Sequence, residues 1–175
     1  MKYKLVFYLL GIIFLNHNCK QSNSLLKEYL KAFIGTDVII PESLLKFNDI
    51  NHHIREGVKY KLVFYVDSSS CNQCYLNMAI VTWSNLMNKF ENKDFNLYII
   101  FHSQDIEELQ TLFKSYNLDI PFFIDLYGDF MNENKLPPTN ILHTFLLEDN
   151  IVILAGDPSN NSKLLRLYEQ EIIKE

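Results

Sequence analysis

The chain has 175 residues, room for one domain with a sizeable core but not for two ordinary ones. It is 48% hydrophobic and 21% charged, a balance that argues against disorder. The formal net charge is −5 and no Lys/Arg-rich block is present, which argues against a nucleic-acid partner.

The first elements read as an export signal. Lys2 and Lys4 precede an apolar run from Leu5 to Leu15. That run is shorter than the roughly 20 residues a membrane-spanning helix needs, and it suits a signal peptide. The competing reading, an N-terminal helix of the folded domain, is disfavoured because no acidic residue occurs before Glu28. Residues 1–18 are therefore read as signal peptide, 19–34 as tether and N-terminal helix, and 35–175 as the domain. Leu15-Asn16-His17-Asn18-Cys19 resembles the end of a bacterial lipoprotein signal, with departures at Asn16 and Asn18. The resemblance implies that Cys19 is lipidated and becomes the first mature residue. It further implies an exported protein anchored to a bacterial membrane, facing the periplasm or cell surface. The alternative is an ordinary thiol just past a conventional cleavage site. An acidic domain has no electrostatic attraction to anionic lipid, so the anchor itself would have to hold it.

Helical spacing follows in Ser24 to Phe33, through Leu25, Leu26, Tyr29, Leu30 and Phe33, with Gly35 as a stop. Val38 to Ile40 is a short β-branched run closed by Pro41. Asn48 to Gly57 is polar and loop-like, and His52-His53 within it is read as a solvated pair. Tyr60 to Val66 has the composition of a buried strand. After a turn cluster, Asp67 to Ser70, comes Cys71-Asn72-Gln73-Cys74 and then a helix with Leu76, Ile80, Trp83, Met87 and Phe90 on its core side. Asn96 to Phe101 is a second strand and Asp105 to Tyr116 a second helix, with Asp105 and Glu108 at capping-box spacing. Pro121 to Asp125 is a third strand, and a short helix is expected over Phe130 to Asn134. Thr144 to Leu147 and Ile151 to Ala155 form a hairpin about Glu148-Asp149-Asn150, and Ser162 to Lys174 closes the chain as a helix. The pattern is α/β with a mixed central sheet flanked by helices, the hairpin lying at one side.

The chemistry centres on strand, turn, Cys-x-x-Cys, helix. Two intervening residues let the sulfurs of Cys71 and Cys74 meet across one helical turn. The first thiol sits where unpaired backbone N–H groups and the helix dipole stabilise a thiolate. Cys71 is the candidate attacking residue and Cys74 the candidate resolving one. Three other readings stand beside this: zinc, a structural disulfide, and inert buried thiols. Zinc usually needs two further ligands. His102 and His143 are the remaining candidates, without recognisable spacing. An exported location favours oxidation of the pair.

Residues Tyr60 to Ile153 resemble the thioredoxin superfamily. The branch they are most similar to is the membrane-tethered bacterial thiol-disulfide oxidoreductases, which carry an extra helix-strand unit matched here by Asp105 to Asp125. The chain also resembles small uncharacterised bacterial lipoproteins that close on a Thr-Phe-Leu-Leu strand, a hairpin and a Gly-x-Pro turn, here Thr144–Leu147 and Gly156-Asp157-Pro158. Three positions depart from the thioredoxin pattern. Ser70 stands where a Trp precedes the first cysteine. His143 occupies the slot of the cis-proline before the hairpin. Tyr65 stands where an acid is buried beneath the sulfurs. A non-proline cis bond costs roughly 2.5–4 kcal/mol, so a trans bond is expected at His143. His143 beside the sulfurs would stabilise a thiolate when charged or shuttle a proton when neutral; the alternative is a histidine that only hydrogen-bonds the backbone. Trp83 is read as core, and Tyr75 as lining the site or packing.

The expected function is thiol-disulfide exchange on protein substrates outside the cytoplasm. No nucleotide or flavin motif is present and no cofactor is expected, so electrons would pass to or from a redox partner. The alternative is a non-catalytic binding module on the same scaffold, favoured by the missing proline and acid and opposed by the retained cysteine pair. A peroxidase is disfavoured because no Pro-x-x-x-Thr/Ser-x-x-Cys pattern surrounds Cys71.

Overall fold

Alternating burial on a strand sorts its side chains to two faces, and here both faces are apolar. The computed structural model describes residues 24–48, 54–67, 73–90, 93–115, 120–159 and 161–174, with the backbone alone for 73–78 and 80. In chain order they form helix α1 (residues 24–33), strand β1 (Leu45–Phe47), β2 (Tyr60–Val66), α2 (Gln73–Lys89), β3 (Phe95–Phe101), α3 (Ile106–Ser115), β4 (Phe122–Ile124) and α4 (Asp129–Asn134). A 3-10 turn (Asn140–Leu142), β5 (Thr144–Glu148), β6 (Ile151–Ala155) and α5 (Ser162–Ile173) complete the order. The six strands make one sheet in the order β1-β4-β3-β2-β5-β6. β2, β3 and β4 are mutually parallel, whereas β1, β5 and β6 pair antiparallel with their neighbours.

The path of the chain assigns the helices to faces. From β2 through β3 to β4 it moves one way across the sheet, so right-handed crossovers place α2 and α3 on the same side. There Trp83 and Leu86 of α2 and Leu109 and Phe113 of α3 join Leu62, Phe64, Leu97 and Ile99, together with Tyr168 and Ile172 of α5. The chain then returns past β2 to reach β5, and α4 falls on the opposite face. Phe130 of α4 and Phe33 of α1 pack there on Val63, Tyr65, Ile100 and Phe145. Aromatic rings dominate both layers, as the composition implied. Phe113 stacks on Phe122 with centroids 4.1 Å apart, and Phe64 lies 5.4 Å from Trp83.

The predicted elements recur with end shifts of one or two residues, and two differences carry a reason. Val38–Ile40 is not a strand. Its backbone is taken by a side chain: Asn134 Oδ1 accepts from Ile39 N at 2.7 Å and Asn134 Nδ2 donates to Ile39 O at 2.8 Å. A single bridge, Asp37 to Ile151, links this stretch to the sheet. The second difference is β1, which falls where no strand was expected. Three residues are too few to show a period; the stack of Phe47 on Phe122, centroids 5.4 Å apart, holds the strand on the edge of β4.

The local signals at the element ends are realised. Asp105 Oδ1 accepts from Glu108 N at 2.9 Å, capping α3. Asp149 and Asn150 have φ of 49° and 73°, the left-handed pair that a two-residue hairpin turn requires. Asn161, which the sequence reading did not single out, caps α5 by accepting from Leu164 N. The expected strand Tyr60–Val66 is interior, paired with β3 on one side and β5 on the other. Residues 1–23 with Cys19, the pair His52-His53, Ser70, Cys71 and Tyr116 lie outside the described residues, as do the side chains of Cys74, Tyr75, Leu76 and Ile80. Among the described residues no helix is long and apolar enough to cross a membrane.

Phe113 is fully buried between Phe101 and Phe122. Phe113→Ala should therefore cost about 3–5 kcal/mol in urea unfolding. A loss below about 1 kcal/mol would mean that α3 does not pack on this face.

Candidate functional site

Three parallel strands end at the same pole of the sheet, and each is followed at once by a polar residue: Asp67 after β2, His102 after β3 and Asp125 after β4. β5 runs antiparallel to β2 with Thr144 opposite Phe64, so His143, the residue before it, stands at this pole too. Helix α2 begins here at Gln73 and carries Cys74 in its first turn. Cys71 precedes it by two residues in the sequence. His143 and the backbone of Cys74 thus lie at this pole, while Cys71 and the Cys74 side chain lie outside the described residues.

His143 is held by its loop. Its carbonyl accepts from Tyr65 N at 2.9 Å and its amide donates to Asn140 O at 3.0 Å. The ring is 3% exposed, and its Nε2 lies 2.9 Å from Pro137 O. A carbonyl oxygen only accepts, so Nε2 carries the hydrogen. Burial lowers the pKa of the ring; the Pro137 hydrogen bond and the nearby Asp67 charge pull the other way with smaller effect. The neutral ring that results has a lone pair on Nδ1, which is buried and has no hydrogen-bond partner among the described residues. No cis peptide occurs among the described residues, so the expected trans bond at His143 is found.

Tyr65, in the position where the resemblance expected a buried acid, faces away from α2. It belongs to the layer of Phe130 and Phe145, with its ring stacked on Phe130 at 5.4 Å and set edge-on to His143 at 5.6 Å. Its hydroxyl is buried. Burial first, then the carboxylates of Asp125 and Asp67, hold its pKa well above the usual phenol range. Both oxygens of Asp125 also accept from backbone amides. Oδ1 accepts from Asp129 N at 2.9 Å and Oδ2 from Phe130 N at 3.1 Å, so the carboxylate caps α4.

Asp125, 2% exposed, was missed as a site residue because a strand followed by Asp reads equally as a strand end. The available signal was its spacing of four residues from the start of a helix. His102 entered the sequence reading only as a zinc candidate; the structure sets its Nδ1 3.9 Å from Asp67 Oδ1. Among the described residues no three His, Cys, Asp or Glu side chains converge as a metal site. Tyr127 and Ile141 are exposed.

Neither a protein-family model nor a curated protein matches the sequence. Solved structures do match. A Bacteroides thetaiotaomicron protein, provisionally assigned as a protein disulfide isomerase, aligns at TM-score 0.57 and 20% identity over 81% of this chain and 91% of its own. An uncharacterised thioredoxin-like protein from Porphyromonas gingivalis aligns at TM-score 0.52 and 14% identity, over 80% and 95%. The thioredoxin domain of a thiol-disulfide oxidoreductase from Bacteroides vulgatus aligns at 0.51 and 15%, over 66% and 80%. At these identities the likeness speaks for fold, and it agrees with the strand order and helix faces described above: the chain has a thioredoxin-like fold.

Proposed function

We propose that this protein carries out thiol-disulfide exchange on protein substrates outside the cytoplasm, tethered to a membrane by lipid on Cys19. The observation that carries the reading is Cys74 in the first turn of α2, directly after the central strand of a thioredoxin-like sheet. The sequence puts Cys71 one helical turn before it, where backbone N–H groups favour a thiolate. Several of the similar structures belong to proteins named for disulfide chemistry.

In the reducing direction the Cys71 thiolate attacks one sulfur of a substrate disulfide. The S–S bond breaks, the other substrate sulfur leaves as a thiolate and takes a proton, and a mixed disulfide forms. Cys74, once deprotonated, attacks Cys71 and releases the second substrate thiol. Two electrons have passed to the substrate and Cys71–Cys74 is left as a disulfide. A dithiol partner reduces it again; the oxidising direction is the same sequence reversed.

His143 enters this scheme as a neutral base rather than as a cation. Its burial disfavours the charged form, and the Nδ1 lone pair is a ready acceptor for a thiol proton.

Three outcomes test the reading. Cys74→Ser should trap a mixed disulfide with a protein substrate, visible on non-reducing gels, whereas Cys71→Ser should trap little. Equal, ordinary alkylation rates at both cysteines with nothing trapped would favour the binding module instead. Mass spectrometry of the membrane fraction should find a diacylated N-terminal Cys19; a soluble form with free Cys19 rejects the anchor. The third outcome concerns stability. His143 has a lower pKa folded than unfolded, so below about pH 6.5 the unfolded chain takes up the proton first. Stability should fall with pH from there down to the folded pKa, and His143→Gln should lose that part of the slope in urea melts. An unchanged slope would mean that the ring accepts a proton while folded.

A further inference from the structure

Phe130 of α4 and Phe33 of α1 cover the sheet face that carries Val63 and Tyr65. Alternation along β2 puts Lys61 on the same face, nearer the start of the strand. There two irregular segments, residues 37–40 and 54–57, stand over the sheet in place of a helix, and between them lies a cavity of about 390 Å³. That size is within the range of small-molecule sites. Side-chain amides hold both walls. Asn134 closes on the backbone N and O of Ile39. Asn96, 5% exposed, accepts from Arg55 N at 3.2 Å and donates to Arg55 O at 2.7 Å. Val38 N donates to Asn150 O at 2.9 Å, which ties the first wall to the hairpin turn. The cavity is therefore shaped by the fold itself, so an occupant would not have to order its walls.

Its lining combines apolar side chains with charge. Val38, Ile40, Ile54 and Tyr98 supply the apolar part, and the Tyr98 ring is fixed by its stack on Phe123, centroids 5.3 Å apart. Lys61 and Asn150 supply donors: Lys61 Nζ donates to Asn150 Oδ1. That bond uses one of the three ammonium hydrogens, and an amide that accepts through its oxygen keeps both Nδ2 hydrogens to donate. The two side chains thus offer neighbouring donors that share one positive charge, and among the described residues no carboxylate pairs with Lys61. The second cation of the lining, Arg55, spends Nη2 on the carbonyls of Lys93 and Phe95. Asp37 and Glu56 also line the cavity and are exposed, so a second negative charge on an occupant would be repelled. The chemistry that matches is a single carboxylate on an apolar body.

We propose that this cavity binds a small amphipathic monocarboxylate, with the carboxylate on Lys61 and Asn150 and the apolar part against Val38, Ile40, Ile54 and Tyr98. A free medium-chain acid and the C-terminal carboxylate of a peptide share this chemistry. Lys61 stands five residues before the end of β2, about 17 Å along the strand, so the site is separate from the pole of His143 and stands or falls independently of thiol exchange. The test is an amide-resolved NMR titration of the isotope-labelled protein with octanoate, octylamine and octanol. Octanoate should saturate within about 10 mM and shift the amides of residues 37–40, 54–57 and Asn150. Lys61→Met keeps the stem but removes the charge, and should weaken octanoate by about tenfold or more. Asn150→Gly, which the φ of 73° tolerates, should weaken it by about threefold. N-acetyl-leucyl-leucine separates the two sources: binding tighter than octanoate assigns the site to a peptide terminus, and weaker binding assigns it to a free acid. Octanoate that leaves these amides unmoved overturns the proposal. So does octylamine or octanol binding as tightly as octanoate, or an unchanged affinity in Lys61→Met. Should Lys61→Met not fold, as judged by circular dichroism, an unchanged affinity in Asn150→Gly decides against the proposal and a weakened one decides in favour.

Discussion

The register of β2 is the constraint on which the rest of the structure depends. This strand is paired along both edges, in parallel with β3 and antiparallel with β5, and both of its faces are buried. A slip of one residue would exchange Leu62 and Phe64 for Val63 and Tyr65 and put each set into the wrong layer. Because the two layers are filled by different helices, neither can absorb the exchange. The end of β2 is pinned from both sides, by Val66 O accepting from His102 N and by Tyr65 N donating to His143 O. The point at which the chain leaves the sheet for the cysteine pair is therefore fixed by the core.

That arrangement explains why polar residues gather at one pole without unfolding it. Each has its obligations met locally or keeps an edge in water. Asp125 is deeply buried but bonds two amides of α4, which compensates much of the desolvation of a carboxylate. His143 is buried and neutral, so it needs only the Pro137 carbonyl. Asp67 and His102 remain partly exposed. The rings of Tyr65 and His143 are set edge-on with centroids 5.6 Å apart, and His143 Nδ1 is buried with no partner among the described residues.

The two histidines at this pole sit in different surroundings. A ring can serve as a base while buried, because the neutral form loses little on leaving water. It can serve as a cation only where solvent or a carboxylate supports the charge. His143 is buried, whereas His102 keeps contact with solvent. The trans bond at His143 belongs with its buried setting: with no proline ring in that slot, the loop from Pro137 is tied down by an imidazole hydrogen bond.

How much of this was legible from the sequence depends on the range of the interaction involved. Tyr60–Val66 as a buried strand, the capping spacing at Asp105, the hairpin turn about Asp149-Asn150 and the helical face of Trp83 all rest on neighbours a few residues away, so periodicity and turn chemistry sufficed. The cysteine spacing and its place before a helix were likewise local, as was the thioredoxin-like order of elements. Contacts between distant residues were not legible. Asn134 closes on Ile39 across 95 positions and overrides its strand propensity. β1 exists because Phe47 finds Phe122. Tyr65 holds the acid's place in the sequence but turns to the layer opposite α2. The sequence by itself determined which elements form and which residues carry the candidate chemistry. Only the tertiary structure decided which histidine is buried and which keeps water and a carboxylate, because a side chain's charge is set by what distant segments bring against it.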